Sequence, residues 1–288
     1  METTYMKKFS VLAAALLLPF MVWGQAQIET KKMKICDFTQ KITKVVLTGN
    51  PFHDGCLKGD VAAKWNVSPF EFCTMEEYES LKSSDAYYFL LTTKGQFRKE
   101  SEPGLTFLTL VKGGSKAAEG IDEMLEVVSF PFASAESPSG REYVFLQAFL
   151  DIIQNYALAS MERDIDGYTG LPNYSMNISK SGDMTLVFSQ SDIAADVTPE
   201  VKNMCFDEKV LVLPEEEADE YLSPKHENTL VSYVAVSSSP KPGSFCYKML
   251  IEPQTNTLYY FRKHKITKKF GAGFLAEDIR RISVPRKK

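Results

Sequence analysis

Residues 44–65, KVVLTGNPFHDGCLKGDVAAKW, begin as a β-strand and end as a helix. Valine and leucine fill the first run, KVVLTG. In the second run Leu57, Val61 and Trp65 recur at helical spacing and share one face. Asp54 stands where an N-cap would lie. The stretch therefore predicts a strand, a tight turn and a helix, which is the opening of an α/β fold.

The runs that follow continue this alternation. The predicted elements are PFEFCT (69–74) as a strand, MEEYESLK (75–82) as a short helix capped by Thr74, AYYFLLTT (86–93) and GLTFLTLV (104–111) as strands, and KAAEGIDEMLEVV (116–128) as an amphipathic helix. The predicted order of the first half is thus βαβαββα.

The same order returns in the second half. Its predicted elements are MTLVFSQ (184–190), a helix-like SDIAADVTPEVKNMCF (191–206) that Pro199 interrupts or starts, KVLVLP (209–214), EEEADEYL (215–222), NTLVSYVAVSS (228–238), SFCYKMLIEP (244–253), NTLYYFRKHKI (256–266) and GFLAEDIRRI (273–282). One additional strand precedes the last helix. The closing helices share letters, AEGID (118–122) and AEDIR (276–280), which favours a structural repeat.

Between the halves, ASAESPSGRE (133–142) is polar and rich in Ser, Pro and Gly, and YVFLQAFLDIIQNYALASME (143–162) has helical spacing of its apolar residues. The fold class is therefore α/β, with α+β as an alternative: two similar βαβαββ(β)α units joined by a long amphipathic helix. The predicted divisions are a signal peptide (1–24), an N-terminal tail (25–42), a first α/β unit (43–132), a linker and long helix (133–168) and a second α/β unit (169–288).

The N-terminus has the pattern of a secretory signal peptide. Lys7 and Lys8 precede the apolar run FSVLAAALLLPFMVW (9–23), and GQAQ follows it. A membrane span needs about 20 apolar residues, so this run is short for an anchor. We expect cleavage after Gly24 or Ala26, a periplasmic or secreted protein, and no stable membrane span once the signal is removed.

Composition excludes one class of partner. The chain has 288 residues and a formal net charge of −4, with no basic stripe interleaved with aromatics. Nucleic-acid binding requires such a positive surface, so we expect no nucleic-acid partner.

Cysteine and histidine spacing predicts neither a metal nor a cofactor. The five cysteines contain no CxxC and the three histidines no HxxxH, so no zinc-ligand spacing is present. Most of the cysteines fit small buried hydrophobes better than a disulfide framework, which stays the alternative. DIDG (164–167) resembles the start of a calcium loop but lacks the downstream glutamate, which favours a solvated turn.

Two kinds of candidate site recur in both halves. Ligands of open α/β sheets collect beyond the carboxyl ends of strands, where the first half has His53, Asp54 and Cys56 and the second has Ser191 and Asp192. Aspartate recurs and fits helix capping, whereas a Cys56 nucleophile with His53 as its base is the catalytic alternative. Glycines before the closing helices are weak anion-site candidates: Gly113, Gly114, Gly271 and Gly273.

The exported start and the block KWNVSPFEFCTMEEYESLKSSDAYYFLL (64–91) resemble uncharacterised exported proteins of Bacteroides-type Gram-negative bacteria. The resemblance implies a periplasmic or secreted address and brings no catalytic residues. The β-α-β-α-β order is similar to envelope domains of the TolB N-terminal kind, which act by binding partners. The sequence thus predicts a non-enzymatic binding or interaction protein with an envelope or extracellular partner; the alternative is a cysteine-dependent enzyme using Cys56 and His53.

Overall fold

The computed structural model describes residues 30–97, 100, 102–223 and 226–286. The predicted signal peptide and its cleavage site lie outside these residues. The first half of the chain contributes one mixed sheet, with strand order β2-β1-β3-β4-β5. Its strands are β1 (Ile42–Val46), β2 (Phe70–Cys73), β3 (Tyr87–Gly95), β4 (Leu105–Lys112) and β5 (Leu125–Ser134). Strand β1 pairs in parallel with β2 and β3, and β4 and β5 continue the sheet in antiparallel fashion.

The second sheet repeats this plan. Its strands are β6 (Thr185–Ser189), β7 (Val210–Leu213), β8 (Thr229–Ala235), β9 (Phe245–Glu252) and β10 (Thr257–Lys265). Strand β6 pairs in parallel with β7 and β8, and β9 and β10 are added antiparallel. The predicted α/β class is confirmed, and the runs KVVLTG and MTLVFSQ occupy corresponding places, one strand in from the edge of each sheet.

Helices cover the sheets. The helices of the first half are α1 (Lys31–Ile35), α2 (Pro51–Lys64), α3 (Met75–Leu81), α4 (Arg141–Val144), α5 (Leu146–Glu162) and α6 (Asp164–Thr169). Those of the second half are α7 (Pro199–Cys205), α8 (Glu215–Glu220) and α9 (Ala276–Arg286). Thr74 caps α3 in a capping box with Glu77, as predicted, and Pro199 starts α7.

Residues 116–128 do not form the predicted helix. Two short 3₁₀ segments, Ser115–Glu119 and Ile121–Glu123, meet at Gly120, whose φ of +135° no helix contains. The β-branched and aromatic residues that follow form β5, an edge strand that accommodates Pro131. Within the described ranges each half therefore has five strands, and the expected extra strand is wrong. AEGID and AEDIR are not equivalent, because only AEDIR lies in a helix.

The two halves share one hydrophobic core between their sheets. We call it the central core; apolar residues of β3–β5 and of β8–β10 meet there around α2 and α5. Phe149 of α5 illustrates the packing, since its ring contacts both Phe132 of β5 and Tyr233 of β8. Smaller clusters on the outer faces pack α3 against the first sheet and α7 and α9 against the second.

The two sheets do not face each other through equivalent faces. Helices α2 and α5 lie on the face of the first sheet that forms the central core, whereas α7 and α9, which follow the corresponding strands, lie on the outer face of the second sheet. Tyr221 and Leu222, at the end of α8, pack toward the central core instead. The contact between the halves therefore joins non-equivalent faces of the two sheets, as in a head-to-tail arrangement.

Candidate functional site

A polar cavity of about 390 Å³ lies beyond the carboxyl ends of β6 and β8. The helical connections that follow β6 and β7 cross opposite faces of the sheet, so a crevice opens between β6 and β8 where ligands of such sheets bind. We call this cavity the serine pocket, because six serines line it: Ser134, Ser137, Ser139, Ser191, Ser237 and Ser238. Helix α4, from the first half of the chain, also lines the pocket with Arg141 and Glu142.

Arg141 of α4 anchors one wall of the serine pocket. Its Nε donates to both carboxylate oxygens of Asp219, at 2.9 Å each, and Nη1 donates to both oxygens of Asp192, at 3.0 and 3.1 Å. Nη2 donates to the Ser232 carbonyl at 2.9 Å, and the guanidinium lies over the Tyr233 ring. The protein itself therefore engages every nitrogen of this buried guanidinium.

Asp192 is buried with Arg141, whereas Asp219 is half-buried. Burial raises the pKa of Asp192 and of Asp219, although Arg141 favours the ionised form of both. Ser232 Oγ also donates to Asp192, at 2.6 Å. Burial alone would lower the pKa of Arg141, but Asp192 and Asp219 outweigh it and raise that pKa, so the guanidinium stays charged.

Glu142, the next residue, has a buried acceptor without a partner among the described residues. Its side chain lines the serine pocket and is only 1% exposed. Oε2 accepts hydrogen bonds from Gly140 N at 3.0 Å and Ser139 Oγ at 3.2 Å, whereas buried Oε1 has no hydrogen-bond partner in the described chain. No lysine, arginine or histidine of the described residues forms an ion pair with this carboxyl group.

The rim of the pocket adds further acceptors. Ser191 Oγ donates to Glu215 Oε2 at 3.0 Å, so this hydroxyl group is already committed to a carboxylate. Ser134 Oγ accepts from the backbone of Ser238 at 3.0 Å and holds the loop after β8 against the end of β5. The rim is thus built from residues of both sheets.

Hydrogen bonds within the fold account for Asp54, which follows β1. The N-cap of α2 is Asn50, whose side chain accepts from the first helical amides, so the expected Asp54 cap is wrong. Asp54 lies inside the first turn and accepts from the amide and hydroxyl of Thr48 and from Gly49 N, each at 2.9 Å. Burial opposes its ionisation, but these bonds outweigh burial and lower its pKa.

His53 and Cys56 lie on α2 without forming a hydrogen-bonded pair. His53 Nδ1 lies 3.1 Å from the Tyr143 hydroxyl, and Nε2 lies 3.1 Å from Thr92 Oγ1. Burial lowers the pKa of His53, which favours the neutral ring. Cys56 is half-buried and packs against the central core. All five cysteines are free, and Cys73, Cys205 and Cys246 are buried.

The glycine candidates use their polar groups within the fold. Gly113 N and Gly114 N donate to backbone carbonyls at 2.9 and 3.0 Å, and Gly273 N donates to Cys246 Sγ at 3.3 Å. A Cβ at Gly273 would lie 2.6 Å from the Asp192 carbonyl oxygen, which explains the glycine by close backbone approach. Gly271 accepts from His264 Nε2 through its carbonyl at 2.8 Å.

Of the residues that build the serine pocket, sequence reasoning selected Ser191 and Asp192 but missed Arg141, Glu142 and Asp219. The available signal was weak: an adjacent arginine and glutamate between a Ser/Pro/Gly-rich stretch and a long apolar helix. Comparison with models of protein families, with curated proteins and with solved structures gives no match for this chain. Within the described residues, every helix is too short or too polar to cross a membrane.

Proposed function

We propose that the protein is an exported, non-enzymatic binding protein and that the serine pocket is its ligand site. The observation that carries this proposal is the carboxyl group of Glu142, which is buried at the pocket wall and whose Oε1 has no hydrogen-bond partner among the described residues. A buried polar atom without a partner costs about 1–3 kcal/mol, and more when the group is charged. A ligand that donates to Oε1 would recover that free energy on binding.

The surroundings hold the backbone of Glu142 in place. Arg141 fixes α4 through Asp192, which follows β6, and Asp219, which lies in α8. Oε2 of Glu142 accepts hydrogen bonds from Gly140 and Ser139. Because the last torsion of a glutamate is soft, the carboxyl group can turn either oxygen toward the cavity while its backbone stays fixed. Oε1 has almost no exposed surface, so a ligand reaches it only when this torsion turns. Because the backbone is fixed, the ordering cost is limited to that torsion.

The contacts of His53 support binding over cysteine-dependent catalysis. A base for Cys56 needs a ring nitrogen within hydrogen-bond reach of the sulfur. Both nitrogens of His53 instead face hydroxyl groups, those of Tyr143 and Thr92.

The exported address rests on Lys7, Lys8 and the apolar run 9–23. We expect the mature chain to begin at Gln25 or Gln27, and the ligand to come from the envelope or the surroundings of the cell. N-terminal sequencing of protein recovered from periplasm or medium measures this directly. An intact Met1 or Met6 on that protein would contradict the address and leave the pocket proposal standing.

Thermal unfolding in the presence of small-molecule pools tests the binding site. Separate pools of amino acids, amines, monosaccharides and nucleosides, each compound at about 1 mM, are added to the purified mature protein. We expect at least one pool to raise the Tm by about 2 °C or more, because a ligand that binds only the folded state stabilises it.

Two tryptophan variants locate the effect. Ser137 is an exposed residue of the pocket rim, so Ser137→Trp places an indole across the opening, whereas Ser80→Trp puts the same side chain on exposed α3. The Tm rise should vanish in Ser137→Trp and persist in Ser80→Trp. The proposal fails if no pool raises the Tm of the wild-type protein, or if the rise survives in Ser137→Trp.

A further inference from the structure

Resting on the proposed binding function, we infer that the ligand of the serine pocket carries a positively charged amino or guanidino group. The carboxyl group of Glu142 is the centre of this recognition site. Sixteen of the described residues line the pocket, and Arg141 is the one cationic side chain among them. Three carboxyl groups, those of Glu142, Asp192 and Glu215, also line it.

Arg141 is not free to attract an anionic ligand. Its Nε and Nη1 bind Asp219 and Asp192, each with two acceptor oxygens, and Nη2 binds the Ser232 carbonyl and Asp219. A ligand carboxylate or phosphate would have to displace one of these bonds in a buried site. It would also meet the carboxyl groups of Glu142 and Glu215, and like charges at close range disfavour binding.

The hydroxyl groups of the pocket also favour a ligand that donates hydrogen bonds. Ser139 Oγ donates to Glu142 and Ser191 Oγ donates to Glu215, so both spend their hydrogen on a carboxylate. Ser139 Oγ already accepts from Arg141 N at 3.3 Å, and Ser191 Oγ accepts from Ser189 Oγ at 2.7 Å. Each oxygen therefore keeps one lone pair for a ligand, beside Glu142 Oε1. An ammonium or guanidinium group has only donors and a positive charge, so it satisfies the hydrogen-bonding capacity and the charge of this wall together.

A neutral polyol meets only half of these demands. Its hydroxyl groups can donate to Glu142 Oε1, yet they leave the excess negative charge of the wall uncompensated. A hydroxyl group that donates to an ionised carboxylate already forms a charge-assisted hydrogen bond. The advantage of the amine is therefore its positive charge, which offsets the negative charge of the wall. The structure therefore ranks an amine above an alcohol of the same length, and an alcohol above a dicarboxylate.

Isothermal titration of the mature protein with matched probes tests this ranking. The probes are putrescine and agmatine as cations, 1,4-butanediol as the neutral analogue of putrescine, and succinate as the anion of similar length. We expect at least one cation to bind with a Kd below about 1 mM, at least tenfold more tightly than the diol, and no measurable binding of succinate. Binding should be lost in Ser137→Trp.

Glu142→Gln removes the charge and keeps the shape, and should weaken binding of the cation at least tenfold, with no comparable effect on a neutral probe. Glu136→Gln is the matched control, because Glu136 is an exposed carboxylate near the same rim that does not line the cavity; it should change the Kd less than twofold. If Glu142→Gln does not fold, the comparison of cation with diol in the wild-type protein decides the question alone.

The possible results separate this inference from the proposed function. If a neutral or anionic compound binds in a manner sensitive to Ser137→Trp while both cations bind no better than the diol, the amine assignment is overturned and the binding function stands. Cation binding that is unchanged in Glu142→Gln also overturns the assignment. If no compound of any class binds the wild-type protein, the proposed function itself fails.

Discussion

Arg141 and Asp192 lie 51 residues apart in the chain and form a buried ion pair, with Nη1 3.0 Å from Oδ2. Arg141 follows β5, the last strand of the first sheet, and Asp192 follows β6, an interior strand of the second. The pair therefore joins the connection between the halves to the carboxyl end of β6. It also positions Glu142, because the two residues are neighbours in the short helix α4.

Removal of the Arg141 guanidinium should destabilise the protein strongly. Arg141→Met would leave buried Asp192 and half-buried Asp219 without a cation, and breaking a buried pair typically costs about 3–5 kcal/mol. Arg141→Lys should recover only part of the loss, because an ammonium cannot bind two carboxylates bidentately. Urea denaturation measures both variants. A midpoint for Arg141→Met equal to that of the wild type would contradict the proposed role of this cluster.

In a second buried ion pair, replacement of the aspartate should reduce stability more than replacement of the lysine. Lys248 and Asp278 are fully buried and hydrogen-bonded to each other, and Asp278 also accepts from Tyr260 at 2.7 Å, Leu275 N at 2.9 Å and Arg262 at 3.2 Å. Asp278→Asn leaves the Lys248 ammonium without its carboxylate and should cost about 3–5 kcal/mol.

Lys248→Met should cost less than Asp278→Asn, since three donors to Asp278 remain and the methionine fills similar space. Equilibrium unfolding of the two variants under one buffer gives the order. A larger loss in Lys248→Met would show that Tyr260, Arg262 and Leu275 do not compensate the carboxylate.

Asp37 should make stability depend on pH below about 4. Burial opposes its ionisation, but hydrogen bonds from Lys112, Lys41 and Tyr88 outweigh burial and lower its pKa from 3.8 to about 2. A carboxyl group whose pKa is lower when folded stabilises the protein above its unfolded pKa, and this stabilisation is lost as pH falls through the folded pKa.

The wild-type protein should therefore lose more stability between pH 4 and pH 2 than Asp37→Asn, in which no carboxylate titrates at this site. Urea midpoints of the two proteins at pH 2, 3, 4 and 6 show the difference. Parallel curves across this range would exclude a contribution from Asp37.

Periodicity in the sequence was sufficient to predict most of the fold. The apolar runs of β1 and β6, the capping box at Thr74 and the helix start at Pro199 are signals between near neighbours, and the structure contains each of them. The failure at 116–128 is also local: Gly120 stops a helix that the apolar spacing favoured, and the β-branched run after it pairs with β4. A repeated evolutionary unit behind the shared strand order stays a prediction.

The candidate site could not be predicted in the same way, because its contacts are distant in sequence. Arg141 reaches Asp219 across 78 residues and the Ser232 carbonyl across 91. No pattern within α4 indicates these partners. Only the position of Asp192 at the carboxyl end of a strand could be anticipated, and the general rule for ligand sites in α/β sheets supplied it.

The alkylation rate of Cys56 should not depend on His53. The His53 ring nitrogens face Tyr143 and Thr92 at 3.1 Å each, so the imidazole is not placed to take the thiol proton. Exposed Cys36 should react with iodoacetamide first at neutral pH. Cys246 should react slowly, because burial raises its pKa to about 11 and the thiolate is the reactive form.

Mass spectrometry of peptides after timed labelling gives the rate at each cysteine in the wild-type protein and in His53→Ala. Tyr143→Phe is the matched variant, since it frees Nδ1 and keeps the imidazole in place. Equal Cys56 rates in all three proteins are expected from the geometry, provided that circular dichroism shows each one folded. Labelling of Cys56 that outpaces Cys36 and slows in His53→Ala would instead establish a thiol activated by its neighbour, and the cysteine-dependent enzyme would replace the binding protein.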